Sequence, residues 1–301
     1  TSSSNNSNSS SGAVYVYKRT GSSWAQEAYI KAVNNQAGDQ FGYPILNGDT
    51  LVATTQYEDS NQTTITNGTT ASTNSDSDDS GAAYVYKRTG SSWAQEAYIK
   101  ASNSEAGDSF GNSRYSAIDG DTLAIGATGE DSNQNVITNG TSASSNNSSE
   151  NSGAVYVYKR TGSTWAQEAY IKPSNSDAGD GFGGSVSISG NLLAVGATGE
   201  DSNQVTIMND SSASGNNDTS NSGAVYIFER TGTSWAQVAY IKAPNPDVDD
   251  NFGVSVSLDN KTLLVTSWAE DSNQTTITNG TTASANNSNE GSGAAYVFVL
   301  Q

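Results

Sequence analysis

Along Gly153-Ala-Val-Tyr-Val-Tyr-Lys-Arg160 the side chains alternate, with Val155 and Val157 on one face and Tyr156 and Tyr158 on the other. A period of two with apolar residues on both faces predicts a strand buried on both sides or nearly so. Thr161-Gly162-Ser163 predicts a turn, with a glycine free to take positive φ. Trp165 to Lys172 predicts the returning strand of a hairpin. Residues 173–181 read as a loop. Phe182 to Ile188 predicts a short alternating strand, Ser189-Gly190-Asn191 a tight turn, and Leu192 to Gly196 the partner strand. Helix signals are absent throughout.

The same pattern recurs. Gly-Ala-(Val/Ala)-Tyr-(Val/Ile) begins at Gly12, Gly81, Gly153, Gly223 and Gly293. Trp-Ala-Gln follows at Trp24, Trp93, Trp165 and Trp235, and Tyr-Ile-Lys ends at Lys31, Lys100, Lys172 and Lys242. Asp-x-Phe-Gly places its Phe at 41, 110, 182 and 252, and Glu-Asp-Ser-Asn-Gln starts at Glu58, Glu130, Glu200 and Glu270. A fixed period of roughly 70 residues means an array of supersecondary units that share a core with their neighbours. The units run 12–80, 81–152, 153–222 and 223–292, leaving 293–301 as a surplus third strand. Four antiparallel strands per unit predict an all-β, β-propeller-type array, with the glycines and alanines of the first two strands at the crowded centre. A stack of four-stranded sheets is the alternative.

A polar insert of roughly 20 residues separates the second and third strands of each unit. Asn67-Gly68, Asn139-Gly140 and Asn279-Gly280, each after Ile-Thr, predict two-residue hairpins. The Ser/Asn runs that follow read as flexible linker.

Composition narrows the function classes. The chain has 301 residues, no Cys and no His, which removes disulfides, thiol nucleophiles and histidine acid–base chemistry. The formal charge of -18 argues against a nucleic-acid backbone as partner and fits a solvated or cation-binding surface. No stretch reaches membrane-spanning length. The first residue is Thr1, read here as the start of a processed product or fragment.

Asp180-Gly-Phe-Gly-Gly-Ser-Val-Ser-Ile-Ser-Gly-Asn-Leu-Leu-Ala-Val-Gly-Ala197, followed by Gly-Glu-Asp-Ser-Asn-Gln204 and Ser222-Gly-Ala-Val-Tyr-Ile-Phe228, resembles FG-GAP repeats. These are the β-propeller repeats of integrin α subunits and of many bacterial surface proteins, and the likeness is nearest the bacterial branch. The resemblance covers the chain four times in register. It implies a propeller fold and an extracellular or cell-surface setting. Integrin-like propellers have seven blades, and their Asp-x-Asp-x-Asp-Gly calcium loop is replaced here by tight turns such as Asn47-Gly48-Asp49.

The pairs Glu58-Asp59, Glu130-Asp131, Glu200-Asp201 and Glu270-Asp271, with Ser-Asn-Gln after each, are the candidate calcium ligands. The competing reading is a capped turn at a strand end. The Asp of Asp-x-Phe-Gly (39, 108, 180 and 250) is read as making a structural turn bond. Paired carboxylates also serve glycoside hydrolysis. Here they are adjacent and fourfold repeated, which is the signature of scaffolding, so the chain is read as no enzyme. Asn61, Asn67, Asn139, Asn209, Asn217, Asn273 and Asn279 begin Asn-x-Ser/Thr sequons and are candidate glycan sites. The repeated Trp and Tyr side chains could stack sugars but suit packing between units better.

The ends break the repeat. Gly126-Ala-Thr-Gly129 and Gly196-Ala-Thr-Gly199 become Thr54-Thr-Gln-Tyr57 and Thr266-Ser-Trp-Ala269. Phe298-Val-Leu-Gln replaces the usual Lys-Arg-Thr-Gly turn. Tyr57, Trp268, Phe298, Val299 and Leu300 are therefore candidate interface residues, and 293–301 is either a strand to be donated to a second copy or the cut edge of a longer array that adjoins further repeats of the same chain. The resulting expectation is a non-catalytic extracellular structural or adhesive protein able to form filaments. The alternative is a propeller that binds a carbohydrate or protein ligand within a larger surface protein.

Overall fold

The computed structural model describes residues 7–112 and 115–300, and all its regular structure is antiparallel β. β1 (Val14–Thr20) and β2 (Ser23–Ile30) form a two-stranded sheet by themselves. The second sheet contains β3 (Tyr43–Asn47), β4 (Thr50–Thr55), β5 (Thr66–Asn67), β6 (Ala82–Thr89) and β7 (Ser92–Ile99), in the order β3-β4-β6-β7-β5. The third repeats it with β8 (Ser116–Asp119), β9 (Thr122–Ala127), β10 (Thr138–Asn139), β11 (Ala154–Thr161) and β12 (Thr164–Ile171). The fourth sheet is β13 (Ser185–Ser189), β14 (Leu192–Ala197), β15 (Ala224–Thr231) and β16 (Ser234–Ile241). The last is β17 (Ser255–Asp259), β18 (Thr262–Ser267) and β19 (Ala294–Val299).

Each full sheet therefore takes two strands from one sequence repeat and two from the next. The hairpin before the insert and the hairpin after it come together because the insert returns the chain beside β4, β9 or β14. Two-residue turns close the hairpins, each with a glycine except Asn260-Lys261 between β17 and β18, where Asn260 takes the positive φ, and a bulge in the third strand, between Val85 and Tyr86 and at the matching sites, adds local twist.

Successive sheets pack through shared cores. Val155, Val157, Ala169 and Ile171 of the third sheet join Val186, Leu193, Tyr226 and Phe228 of the fourth in one buried cluster. The first strands β3, β8, β13 and β17 lie in contact along the array. At this seam there is no room for side chains. A Cβ on Gly196 would stand 2.1 Å from the carbonyl oxygen of Gly253, and one on Gly126 2.2 Å from that of Gly183. At the matching position of the second sheet stands Thr54. There the following unit carries two more residues between Phe110 and Ile118 than lie between Phe182 and Ile188.

Two expectations are corrected. The strand at 294–299 is not surplus: it pairs along its length with β18, from Thr262↔Val299 to Ser267↔Ala294. Phe252 holds it edge-on through Tyr296 and Phe298, at ring distances of 5.3 and 6.2 Å. The Asn-Gly segments are not hairpins either. Thr66–Asn67 and Thr138–Asn139 are two-residue fifth strands that pair with β7 and β12.

Candidate functional site

Polar side chains that recur in register meet at one buried node per full sheet. Glu58 lies beyond the end of β4, and Lys100 directly follows β7 on the far side of β6. Lys100 Nζ lies 2.9 Å from Glu58 Oε2, and the equivalent pairs Lys172–Glu130 and Lys242–Glu200 lie at 3.1 and 2.7 Å. All six side chains are nearly or wholly shielded from solvent. A charge in such a place needs both a counter-charge and hydrogen bonds. The tyrosine two residues before each lysine donates its hydroxyl to the glutamate: Tyr98 at 2.8 Å, Tyr170 at 2.7 Å and Tyr240 at 2.8 Å. A loop asparagine donates from Nδ2 to the same oxygen: Asn34 at 3.0 Å, Asn103 at 3.1 Å and Asn175 at 3.2 Å. The backbone N–H of Ser60, Ser132 or Ser202 completes the set. Burial lowers the lysine pKa below its usual value, opposed by the neighbouring carboxylate. The tyrosine hydroxyls are raised, first by burial and then by the glutamate charge.

The two acids expected to share a calcium ion thus point to different partners. The glutamate faces the chain's own ammonium. The aspartate turns to the insert: Asp59, Asp131, Asp201 and Asp271 accept the backbone N–H of Asp79, Asn151, Asn221 and Gly291 at 2.7–2.9 Å. Among the described residues no three acids converge in a metal-holding cluster. Glu270, in the sheet without a fourth strand, keeps Asn245 and the Ser272 N–H but faces no lysine among the described residues. Lys31, in the sheet without the first two strands, donates instead to Ser11 Oγ and the carbonyl of Gly12.

The Asp of Asp-x-Phe-Gly makes the expected turn bond. Asp39, Asp108, Asp180 and Asp250 each accept the N–H of the residue three before, at 2.7–2.9 Å. Burial pushes Asp108 and Asp180 up to about 8 and Asp250 to about 6, in each case with backbone bonding opposing.

The sequon asparagines divide. Asn67 clamps the next sheet: its Nδ2 donates to the carbonyl of Trp165 at 3.1 Å, and its Oδ1 accepts the Trp165 N–H at 2.7 Å. Asn139 holds Trp235 in the same way, at 3.2 and 2.7 Å. These carboxamides are committed to packing between units. Asn61, Asn209, Asn217, Asn273 and Asn279 are exposed. The Ser/Asn runs are pinned as well as polar. Asn74 bonds Asn61 through both its carboxamide atoms, and Asn146 and Asn216 accept the Asn133 and Asn203 amides.

At the outer edge a second clamp joins units. Arg88, Arg160 and Arg230 bind Glu27, Glu96 and Glu168 of the preceding sheet at 2.6 Å. Trp93 and Trp165 donate their indole N–H to the same glutamates, while Trp235 Nε1 is buried without a partner. In the last pair of units Val238 stands where Glu27, Glu96 and Glu168 stand, and Leu300 where the arginines stand. Both pack on the cluster of Phe252, Leu258 and Leu263. Of the remaining interface candidates, Trp268 is 66% exposed and Val299 79%, while Tyr57 and Phe298 are half-buried.

The lysine and the loop asparagine of each node escaped the sequence reading. A signal existed: both recur at one fixed place in every copy that has them. A cavity of about 440 Å³ opens where Asn112, Tyr115, Thr128, Gly181, Gly184, Thr198 and Val254 meet; among the described residues Tyr115 is its one titratable lining side chain. No described helix is long and apolar enough to cross a membrane. The FG-GAP repeat family model matches residues 93–158, 165–228 and 235–298. No curated protein matches the chain.

Proposed function

The chain belongs to the FG-GAP repeat family, and on that premise we propose that it is an extracellular structural module, a rigid propeller-type array that presents its polar inserts and carries no turnover chemistry. One observation bears most of this reading. The buried acids, lysines and tyrosines that could do chemistry occur identically in three nodes, and each group is satisfied by a partner within the chain. A catalytic centre is normally singular and keeps at least one group open to substrate. The inserts complement this: the clamps of Asn67 and Asn139 fix their tips against the neighbouring sheet, so the array exposes a stiff surface of Ser, Thr and Asn. Small-angle scattering tests the idea. A rigid array gives one particle shape that is unchanged by chelator. A profile that demands several independently moving bodies would sink it.

A second reading keeps self-association. The outer edge of β19, where inner sheets carry a fourth strand, has no partner strand among the described residues. A strand from a second copy could pair there. Sedimentation at rising concentration decides: growth that stops when a proline replaces Val297 supports it, and a concentration-independent monomer removes it.

A further inference from the structure

We propose that the three buried nodes are self-cross-linking sites, at which Lys100, Lys172 and Lys242 form amide bonds to Asn34, Asn103 and Asn175 with the bridging glutamate as proton carrier. The inference stands on the node geometry, independently of the structural role proposed above.

The glutamate joins the two reacting groups. Glu58 receives the Lys100 amine on Oε2 at 2.9 Å and the Asn34 carboxamide on Oε1 at 3.0 Å. The other two nodes repeat this at 3.1 and 3.1 Å and at 2.7 and 3.2 Å. One carboxylate therefore touches the nucleophile that must lose a proton and the leaving nitrogen that must gain one. The asparagine carbonyl is also addressed. Its oxygen accepts a tyrosine hydroxyl, from Tyr84 at 2.7 Å, Tyr156 at 2.5 Å and Tyr226 at 2.8 Å. A donor there stabilises the negative charge that develops when an amine adds to the carbonyl carbon. The lysine side chains are fully buried. Desolvation favours the neutral, nucleophilic amine. Phe41, Tyr84 and Tyr98 wall the first node, and their counterparts wall the others, so the lysine and glutamate of each node are shielded from water, as is Asn34, while Asn103 and Asn175 are half-buried.

The step balances without a co-reactant. Glu58 takes a proton from the Lys100 ammonium. The freed lone pair forms the Nζ–Cγ bond to Asn34, and the carbonyl electrons move to Oδ1 beside the Tyr84 hydroxyl. Collapse re-forms the carbonyl and breaks the Cγ–Nδ2 bond. Glu58 hands its proton to Nδ2, which departs as ammonia, and then takes the second proton from Nζ, which is passed to solvent and converts the released ammonia to ammonium, leaving Nζ with the single hydrogen of an amide. Asn34 lies in the connection between the first and second sheets, and Lys100 closes the second. Each bond thus staples one sheet to the segment that reaches it from the sheet before.

The chain contains its own control. Asn245, Glu270 and Tyr296 form the same arrangement at 2.9 and 3.0 Å but face no lysine.

Mass spectrometry of the whole chain under denaturing conditions tests the proposal. The expected mass is below that of the sequence by one ammonia for each bond, three in all. Tryptic peptides carrying Asn34 and Lys100 should run joined, as should the Asn103–Lys172 and Asn175–Lys242 pairs, with Asn245 in a linear peptide. A mass equal to that of the sequence overturns the proposal. So does an ammonia loss found only as a succinimide at Asn67, Asn139 or Asn279. Glu130→Gln should remove the second bond alone; three intact bonds in that variant would overturn the role given to the carboxylate. If the variant does not fold, the unsubstituted chain still decides.

Discussion

The outer clamp between the third and fourth sheets offers a four-way comparison whose answer the chain itself anticipates. Arg230 grips Glu168 with two bonds, Nε to Oε1 at 2.6 Å and Nη2 to Oε2 at 2.9 Å. The Glu168 side chain is 6% exposed and that of Arg230 14%. Arg230→Leu leaves a nearly dry carboxylate without its counter-charge, which costs about 3–4 kcal/mol. Glu168→Val leaves a guanidinium that can turn to water, so about 1–2 kcal/mol is expected. The double variant replaces the pair by two apolar side chains and should fall within about 1 kcal/mol of the parent. Val238 with Leu300 is the same exchange made by the chain itself, and both pack against a buried apolar cluster. The coupling between the two sites is then about 3 kcal/mol or more. Urea melts followed by Trp fluorescence measure it, with amide exchange in β16 reporting the local unit, since an array need not unfold in one step. If the two single costs simply add to that of the double variant, the clamp is a surface ion pair and the argument from burial fails.

Three further outcomes follow from the same geometry. Asp108 and Asp180 at about 8 and Asp250 at about 6 lie above the ordinary 3.8, so their protonated forms favour the fold. That stability is complete below about pH 4 and is fully lost once pH has risen through 6 and 8, so the melting temperature should fall between about pH 4 and pH 8 and level off above. Asp180→Asn should flatten the fall, and a melting temperature that climbs over this range would refute the assignment. Asn139→Ala removes both bonds to the Trp235 backbone and should cost about 1–3 kcal/mol, with faster exchange of the Trp235 amide; protection equal to the parent's would count against the clamp. Gly196→Ala drives a Cβ to 2.1 Å from a backbone oxygen and should destabilise by several kcal/mol, whereas Gly215→Ala, with nothing within 4 Å, should be near neutral by urea titration.

What was legible in the sequence is what local chemistry decides. The strands around Tyr156 and Tyr226 announce themselves by alternation, the hairpins by Gly162 and Gly190, and the Asp180 turn by a bond that spans three residues. The corrections come from distance along the chain. Asn67 carries a hairpin signal, yet its carboxamide is drawn to a backbone 98 residues away, and Thr66 pairs with Tyr98 instead of closing on itself. Glu58 reads as a candidate calcium ligand or a turn cap, and Lys100 only as the end of a repeated Tyr-Ile-Lys word. They are a buried pair because the insert folds back and places β6 between them, and no short window contains both. Leu300 reads as an interface candidate and Val238 carries no signal alone; the two make sense only together. The reading of 293–301 as a spare strand failed for the same reason: its true partner β18 lies a whole insert upstream.

The half-step offset between sequence repeat and sheet also bears on how such a chain changes over generations. Misaligned recombination between near-identical copies adds or removes one whole period. Because every interior sheet is assembled across a repeat boundary, each new junction reproduces a junction that already folds. An exchange between interior copies therefore changes the length of the array and nothing else. The ends do not have that freedom. A crossover that brings the strand of Val238 against an arginine-bearing unit buries an unmatched charge, and one that sets Thr54 against the shorter Phe182–Ile188 stretch forces a side chain into a seam built for glycine. The array is thus free to grow between the Thr54 and Val238 units, while those two junctions remain fixed in kind.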